Sequence, residues 1–495
     1  MLTGTAHALW LCYQQLNPDI RRCIEYCSIF PKGFKLIKNE LFPLWIAQGF
    51  VRISCATEDM EDVAEGYVQE LVSYSFLQPE GTSSDTNCFT IHDVLHDMFD
   101  KISGNFFRIE NARSEREGWK GDVPRDVHHL FVQKYDEELI GEKILGLDNL
   151  LTLIVYVVET DVLIEEKVIE SICKRLRKLR VLAIAFSKEH RAIMQPDEFS
   201  IPKSICQLKH LCYFAFRTKA SCTLILPRSL NKLHHVQLLD FGDCDNVEFT
   251  FGELVNLRHI FYGFNVKFPN ISRLISLQTV PSFTVRNEPG YEIEQLRDLN
   301  SLRRSLVISG LANVKSKEEA LEANLAGKER LRDLAMLWGD SETRCSPEVE
   351  AEILEGMCPP VGLQELQLDG YKGSRYPDWM VGKQDGGPKY VQSLCFQHSS
   401  RPGPASELAK AFPHLRVLKL WWCSWDALPG SMEYLTSLKE LGIHRCLNIR
   451  SLPTLPQSLE DFVLSRCDDK FMKSCQTFRH PNWQKIEHIP RKRFQ

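Results

Sequence analysis

The sequence predicts an α/β protein in which a helix-rich N-terminal module precedes an irregular solenoid of short repeats. Three observations support this fold class. An apolar six-residue unit recurs from Val127 almost to the end of the chain, whereas residues 1–122 show apolar positions at helical spacing. The composition is ordinary for a folded protein, with 43% apolar and 25% charged residues among 495. It excludes a wholly disordered or collagen-like chain.

The repeat has the form Φ-x-x-Φ-x-Φ, where Φ is apolar, and successive copies start 20 to 32 residues apart. Such units are typical of leucine-rich repeats. The last apolar pair alternates at period two, which predicts a short strand with apolar side chains inward and the residues between them outward. Because one unit cannot bury its own apolar face, the units must stack. The first positions are Val127, Leu150, Leu179, Leu211, Val236, Leu257, Leu277, Leu302, Leu331, Leu363, Val391, Leu415, Leu438 and Leu459.

Uneven spacing predicts an irregular horseshoe with helical insertions. Two units decay, because the pattern at Leu277 runs into Pro281 and Ser305 replaces an apolar residue. Residues 316–337 predict a helix that runs into a strand. Several units carry Leu-Pro or Ile-Pro before the next strand, which favours an extended turn into the convex side. These prolines are Pro202, Pro227, Pro429 and Pro453.

The N-terminal module has the pattern of a winged helix. Apolar residues from Met60 to Val72 recur at i, i+3, i+4 and i+7, which predicts an amphipathic helix. SFLQPE and CFTI, separated by a turn-rich stretch, predict a hairpin. A second helix should follow, with an apolar stripe from Val94 to Ile102 and Asp93 as its N-cap.

Charge argues against a nucleic-acid partner. The net charge is −5, and residues 1–122 carry 11 basic against 18 acidic side chains, whereas residues 123–495 carry 49 against 47. The chain therefore has no global positive field for a phosphate backbone. Many winged helices bind DNA, but a net negative one is poorly suited to it.

Targeting signals favour an intracellular protein. The N-terminus lacks the basic leader and apolar block of a secretory signal. The longest apolar stretch, 150–158, is about half of the ~20 residues that a membrane helix needs, so we expect no membrane span. The 17 cysteines include no C-x-x-C pair, which favours a reducing compartment. We expect a cytoplasmic protein, with the nucleus as an alternative because of the basic tail at 490–494.

Long motifs resemble one family. CIEYCSIFPKGFKLIKNELFPLWIAQGFV at 23–51 and FTIHDVLHDMFD at 89–100 resemble the winged-helix entry and the "MHD" motif of plant NB-LRR disease-resistance proteins. LWLCYQQLNPDIRRC at 9–23 resembles the preceding segment, with Cys12 where Ser is usual. Within the repeats, the segments similar to cereal members are 305–314, 366–380 and 480–490.

The resemblance spans nearly the whole chain and implies three domains. Residues 1–15 would be the remnant of a preceding helical subdomain. Residues 16–122 would be the winged-helix domain that ends the nucleotide-binding NB-ARC module. Residues 123–495 would be the leucine-rich-repeat domain.

In that family the histidine of the MHD motif lies near the phosphates of bound ADP and helps to hold a closed, inactive state. The resemblance gives this role to His92, with Asp93 supporting the loop and Ile91 in place of the usual Met. The alternative is that His92 merely starts the helix and Asp93 caps it. We expect that alternative for this chain alone, because no G-x-x-x-x-G-K-[ST] phosphate-binding loop occurs in it.

The family implies ADP or ATP as the cofactor of the intact protein. We expect the sequence given to begin after the nucleotide-binding core, and so expect no cofactor to be bound by this chain alone. His92-Asp93-x-x-His96 places two histidines on one helix face, but the third ligand and the Glu of zinc proteases are missing, so no metal site is expected. The pairs 128–129 and 234–235 should be strand residues. No nucleophile motif is present, so we expect no enzyme.

Partner binding is expected on the concave face, where the outward strand residues lie. Arg416 and Lys419 should point outward from one strand, and Trp421, Trp422 and Trp425 follow at its end. Aromatic and Arg side chains are typical binding anchors. The alternative that one or two of the tryptophans fill the edge of the core stays open.

A second contact is expected within the chain. The winged-helix region is acidic, and the inner edge of the repeats carries Arg177, Lys178 and Arg180. Opposite charges on the two surfaces suggest an electrostatic clamp between them.

These expectations combine into one hypothesis. The chain would be the C-terminal part of an intracellular plant immune receptor, whose repeats recognise a pathogen effector or a guarded host protein and also pack on its own nucleotide-binding module. The alternative is a truncated repeat scaffold or decoy that recruits partners without a nucleotide switch.

Overall fold

Helices and short strands alternate along the chain. The computed structural model describes residues 4–53, 58–80, 87–102, 105–110, 121–158, 164–186, 197–217, 222–242, 244, 246–249, 252, 254–261, 268–280, 282–339, 345–383, 387–400 and 405–495. The helices are α1 (Gly4–Gln15), α2 (Pro18–Cys27), α3 (Lys38–Gln48), α4 (Met60–Ser73), α5 (Asp93–Ile102), α6 (Glu137–Leu139), α7 (Glu166–Arg175), α8 (Lys317–Leu321), α9 (Pro347–Gly356), α10 (Ala405–Ala411), α11 (Asp469–Gln476) and α12 (Pro481–Ile486).

The strands belong to two units, Met1–Lys267 and Phe268–Gln495. Those of the first are β1 (Leu36–Ile37), β2 (Leu77–Pro79), β3 (Cys88–Ile91), β4 (Phe106–Ile109), β5 (His129–Lys134), β6 (Thr152–Val158), β7 (Val181–Phe186), β8 (Glu198–Ser200), β9 (Tyr213–Arg217), β10 (Thr223–Ile225), β11 (Leu238–Asp240), β12 (Asn246–Glu248) and β13 (His259–Phe261). Those of the second are β14 (Phe283–Thr284), β15 (Arg304–Ser309), β16 (Leu331–Leu337), β17 (Glu365–Asp369), β18 (Ser393–Gln397), β19 (Val417–Trp421), β20 (Glu440–His444), β21 (Asp461–Ser465) and β22 (Arg491–Phe494).

The N-terminal part of the first unit contains α2–α5 and an antiparallel sheet of order β1-β3-β2. The predicted helix at Met60 is confirmed, since α4 runs to Ser73. The predicted hairpin is confirmed by the pairing of β2 with β3, and its turn at 81–86 lies outside the described residues. The predicted N-cap at Asp93 is wrong. His92 precedes the first helical residue, and the backbone N–H of Val94 donates to its Nδ1 over 3.2 Å.

The repeats of the first unit build a parallel seven-stranded sheet of order β13-β11-β9-β7-β6-β5-β4. The six predicted units from Val127 to Leu257 each supply one strand, which begins two residues after the first position. The seventh strand, β4, lies within the range 16–122 and pairs in parallel with β5, Phe106 opposite His129. The domain division itself stays a prediction.

The second unit holds a parallel nine-stranded sheet that runs in chain order from β14 to β22. The unit at Leu277 is indeed decayed, because β14 begins only at Phe283, whereas the unit with Ser305 still forms β15. Most of the basic tail at 490–494 is structured. It forms β22, which pairs with β21.

Proline marks the turns that leave the strands. Short 3-10 turns begin directly after Pro202 and Pro227, whose φ angles are −65° and −73°. Residues 316–337 form a shorter helix than predicted, α8, which Ser316 caps and which is followed by turns that lead to β16. The pair 234–235 lies in a turn and not in a strand, in contrast to the prediction. The short strands β8, β10 and β12, which alternate along the chain with the repeat strands of the first unit, form a second parallel sheet of order β12-β10-β8.

The two repeat sheets differ in how their faces are buried. In the second unit the predicted alternation holds in β17, where Leu366 and Leu368 are buried and the residue between them is not, whereas β20 and β21 are buried at three successive positions each. In the first unit, β5 and β9 are buried at four successive positions each, so both faces of these strands are covered.

Candidate functional site

The winged helix covers the outward strand face of the first sheet. Outward residues such as Phe131, Ile154 and Tyr213 belong to one apolar core with Leu41 and Trp45 of α3. Strands that are covered on both faces have continuous apolar runs, and HLFV in β5 and YFAF in β9 are such runs. This signal was present in the sequence and could have predicted the contact.

A buried ion cluster lies at one side of this contact. Glu61 of α4 receives hydrogen bonds from Arg258 over 2.8 Å and from His259 Nε2 over 2.7 Å. The three side chains are 7%, 15% and 9% exposed. Removal of a carboxylate from such a site leaves a guanidinium with little water to solvate it. Glu61 therefore ties the winged helix to the last repeat strand of the first unit.

Arg217 at the end of β9 makes a second link. It lies 2.6 Å from Glu40 of α3, and its Nε donates to Asp240 of β11 over 2.8 Å. Burial would lower the pKa of the Arg217 guanidinium, but Asp240, Tyr213 and Glu40 together raise it above its ordinary value. The guanidinium thus stays charged and bridges the two parts.

A third link is a buried polar network around one hydroxyl group. Thr152 Oγ1 accepts a hydrogen bond from Gln48 over 2.8 Å and lies 3.2 Å from the Tyr26 hydroxyl and 3.0 Å from His129 Nδ1. Burial, followed by the charges of His128 and Arg180, lowers the pKa of His129 to about 3. His129 is therefore neutral at physiological pH and acts as a hydrogen-bonding partner, as the sequence analysis expected for a strand residue.

The predicted clamp residues take different positions. Arg180 donates to the Gln48 carbonyl oxygen over 2.9 Å, where a cation is favoured by the C-terminal end of α3. Arg177 donates instead to Lys174 in its own repeat, and Lys178 donates to Asn149. The three winged-helix links described above come from Arg258, Arg217 and Thr152, which the sequence analysis did not select.

The MHD-like segment starts α5. His92 is half-buried, and its Nδ1 accepts from the backbone, so the remaining proton lies on Nε2. Asp93 is exposed at the first helical position. His96 is buried, and its Nε2 donates to the Phe30 carbonyl oxygen over 2.7 Å. Both histidines thus form hydrogen bonds within the winged helix itself.

The surroundings of His92 do not by themselves fit a nucleotide phosphate. Lys32 approaches the exposed side of α5, where it pairs with Asp97 and also feels the charges of Asp93 and Asp100. A single imidazole at the start of a helix that carries Asp93, Asp97 and Asp100 is not a phosphate cradle. We therefore derive no nucleotide chemistry from this chain's own residues. Within the described residues, no group of three His, Cys, Asp or Glu side chains could hold a metal ion.

The predicted partner-binding residues lie on and beside β19. Arg416 is exposed just before the strand, and Lys419 points outward from it and pairs with Glu440 over 3.3 Å. Trp421 is half-buried and Trp422 is 40% exposed. Trp425 is instead 1% exposed, so it belongs to the core and is not part of the surface.

The neighbouring repeats add side chains that the sequence analysis missed. Trp421 stacks on His444 at a centroid distance of 3.9 Å, and Trp422 stacks on His398 at 5.3 Å. The guanidinium of Arg445 lies 5.2 Å from the Trp422 ring centre. The strand register explains this arrangement, because Trp421 and His444 are direct partners in adjacent strands.

Comparisons with known proteins agree with this architecture. Residues 29–99 match the family model of the disease resistance protein winged helix domain, and residues 293–423 match that of the R13L1/DRL21 leucine-rich repeats. The chain is 27% identical to a putative disease resistance RPP13-like protein 1 of Arabidopsis thaliana, covering 96% of this chain and 43% of the relative. It is 28% identical to the disease resistance protein RGA2 of Solanum bulbocastanum, covering 85% and 39%.

The chain thus spans less than half the length of these curated relatives. A solved leucine-rich repeat protein of Leptospira interrogans aligns with a TM-score of 0.48 at 16% identity, over 76% of this chain and 92% of that one. None of the described helices is long and apolar enough to cross a membrane. The predicted resemblance to plant disease-resistance proteins, with their winged helix and leucine-rich repeats, is confirmed over most of the chain.

Proposed function

We propose that this chain is the C-terminal portion of a plant innate immune receptor that recognises a pathogen effector or a guarded host protein through its repeats. The observation that carries this proposal is the open strand face of the second unit, where Trp422 is exposed at the end of β19 and stacks on side chains from two neighbouring repeats. A rigid aromatic side chain on a repeat surface is suited to protein recognition. The proposed activity is binding, with no catalysis, in the cytoplasm or the nucleus.

The first unit supplies the second part of the proposed mechanism. Its strand face is covered by the winged helix, which Glu61, Arg217 and Thr152 hold through the three polar links described above. In an intact receptor such a contact would fix the winged helix relative to the repeats, and the repeats would also pack on the nucleotide-binding module. A partner shifts the balance between states only by binding one of them more tightly.

A resistance assay tests the proposal. Plants that lack the gene are challenged with a panel of pathogen isolates and compared with plants complemented with the wild-type gene. We expect loss of resistance to particular isolates and its recovery on complementation. Unchanged resistance to every isolate that the parent line resists would contradict the proposal.

The alternative proposal is a repeat scaffold or decoy that recruits partners without a nucleotide switch. A transcript read through its 5′ end separates the two. An upstream phosphate-binding loop supports the receptor, and a mature transcript whose translation starts at Met1 supports the scaffold.

A further inference from the structure

The strands of the second unit end in a ladder of residues with left-handed backbone conformation. The residue directly after each of β17, β18, β19, β20 and β21 has a positive φ. In each case its N–H continues the sheet by bonding to a carbonyl oxygen of the next repeat, at 2.8–2.9 Å. The five residues are Gly370, His398, Trp422, Arg445 and Arg466, with φ of 77°, 49°, 49°, 52° and 51°.

Glycine adopts this conformation without cost, and Gly370 is the residue expected there. The next four positions carry large side chains, for which a positive φ is strained. No turn geometry requires these side chains, because Gly370 makes the same backbone bond without one. The strain therefore points to a use for the side chains themselves.

Those side chains form one exposed surface, which we call the end ladder and define as His398, Trp422, Arg445 and Arg466. Trp422 is flanked on two sides, by the ring of His398 at an interplanar angle of 12° and by the guanidinium of Arg445. His398 is held in turn by Asp369, 2.8 Å from its Nδ1. A flat apolar ring is thus presented in a fixed orientation beside the guanidinium of Arg445.

The charge of the end ladder is not neutralised. Among the described residues, no carboxylate lies within 4.0 Å of Arg445 or Arg466. Cations on neighbouring strands are paired in contrast, as Lys419 is with Glu440 and Arg491 is with Asp461. The guanidinium groups of Arg445 and Arg466 are therefore available to carboxylates of another molecule.

We infer that the end ladder binds an acidic segment of a partner protein, whose carboxylates pair with Arg445 and Arg466 and whose apolar side chain packs on Trp422. This inference rests on the proposed function and names the chemistry of the partner. A guanidinium is suited to carboxylates because its donors match both oxygens of the group. The net charge of −5 gives the chain no global positive field for a continuous phosphate backbone, whereas a short acidic segment needs only the two local guanidinium groups.

The test is fluorescence anisotropy with the purified chain. The probe is a labelled short peptide that repeats Glu-Leu-Asp-Glu, and the comparison probes are the same peptide with Gln and Asn in place of the acids and a single-stranded oligothymidylate. Arg445→Ala and Trp422→Ala are measured beside Arg479→Ala. Arg479 is a matched control, because it also has a positive φ (67°) and lies 5.4 Å from an exposed ring, that of Phe478, outside the end ladder.

We expect the acidic peptide to bind the wild-type chain more tightly than the neutral one. Arg445→Ala and Trp422→Ala should each weaken it about tenfold, the size of one interface anchor, with Arg479→Ala unchanged. Equal binding of both peptides, or equal losses in all three variants, would overturn the inference. Tighter binding of the oligothymidylate would replace it with a nucleic-acid surface. This assay is independent of the resistance assay. If the peptide assay fails but plants without the gene still lose resistance, the inference is wrong and the proposed function remains.

Discussion

The buried carboxylate of Glu61 provides a direct test of how the winged helix is held on the repeats. Glu61→Gln keeps the size and shape of the side chain and removes its charge. Arg258, whose guanidinium lies 2.8 Å away and is 15% exposed, would then be a nearly buried cation without its carboxylate. Loss of one partner from a buried ion pair costs about 3–5 kcal/mol of folding stability. We expect about 3 kcal/mol here, the lower end of that range, because Arg258 keeps some contact with water.

Hydrogen exchange measured by mass spectrometry reports this cost locally. Since about 1.4 kcal/mol corresponds to a factor of ten, the amides of α4 should exchange about 100-fold faster in Glu61→Gln. Glu65→Gln on the same helix is the matched control. Its partner Lys38 lies 2.9 Å away within the winged helix, and the pair is 15% and 31% exposed, so a loss of at most about 1 kcal/mol is expected.

A double variant separates the ion pair from the shape of the site. Glu61→Gln with Arg258→Met removes both charges and should recover much of the lost protection, because apolar replacements of buried ion pairs are often neutral. If Glu61→Gln speeds exchange no more than Glu65→Gln does, the ion cluster does not hold the winged helix and the reasoning fails.

Three further predictions concern single residues. His129 should make the first unit less stable in acid, because between its folded pKa of about 3 and its unfolded pKa of 6.5 only the unfolded chain takes up the proton. The free energy of unfolding should fall by about 1.4 kcal/mol per pH unit as pH decreases through this window. Urea unfolding of His129→Gln should lack this contribution to the pH dependence. Lys328 is fully buried with its pKa lowered to about 8, and its ammonium donates to the Leu296 carbonyl oxygen over 2.7 Å. Lys328→Met should therefore leave the free energy of unfolding unchanged or raise it by about 1–2 kcal/mol in urea unfolding near neutral pH. A decrease of more than about 2 kcal/mol would contradict the cost assigned to the buried charge. Gly370→Ala should cost about 1 kcal/mol in thermal unfolding, whereas Arg466→Gly should cost nothing, and the reverse order would show that the left-handed positions are not strained.

The repeat strands and the helices of the winged helix could be predicted because their signals are local. In α4 the apolar period spans fourteen residues, and in β19 the pattern VLKL alternates over four. Inward and outward positions of such strands follow from the pattern alone, so the burial of Leu418 and Leu420 and the outward position of Lys419 between them agree with it. Trp422 has the parity of the buried leucines but is exposed, because its positive φ ends the strand alternation.

The winged-helix contact could not be found in that way. Glu61 and Arg258 are 197 residues apart, and neither lies in a pattern that sets it off from other charged residues. The acidic character of residues 1–122 suggested attraction to the repeats, but it did not select Glu61 or Arg258, because net charge carries no geometry. The prediction that Arg177 and Lys178 take part in a clamp is still to be tested.

The end ladder was missed for a different reason. A positive φ depends on where each strand stops. Glycine at position 370 indicates such a conformation, whereas the residue types of His398 and Arg445 do not. The stacking of Trp422 between them depends on a register that joins three repeats. Trp425 also follows β19, and the sequence predicted it at the surface beside Trp422, but its side chain lies in the core.

The parallel pairing of β4 with β5 has a practical consequence for chimaeras between related genes. A fragment that starts at residue 123 lacks β4 and so leaves one backbone edge of β5 without its partner strand. That edge belongs to a strand whose residues Leu130, Phe131 and Val132 are all fully buried, and an uncovered apolar edge invites aggregation. Repeats exchanged or expressed from a junction ahead of Phe106 would keep the edge closed, so a recombination breakpoint is better tolerated there than at the apparent domain border.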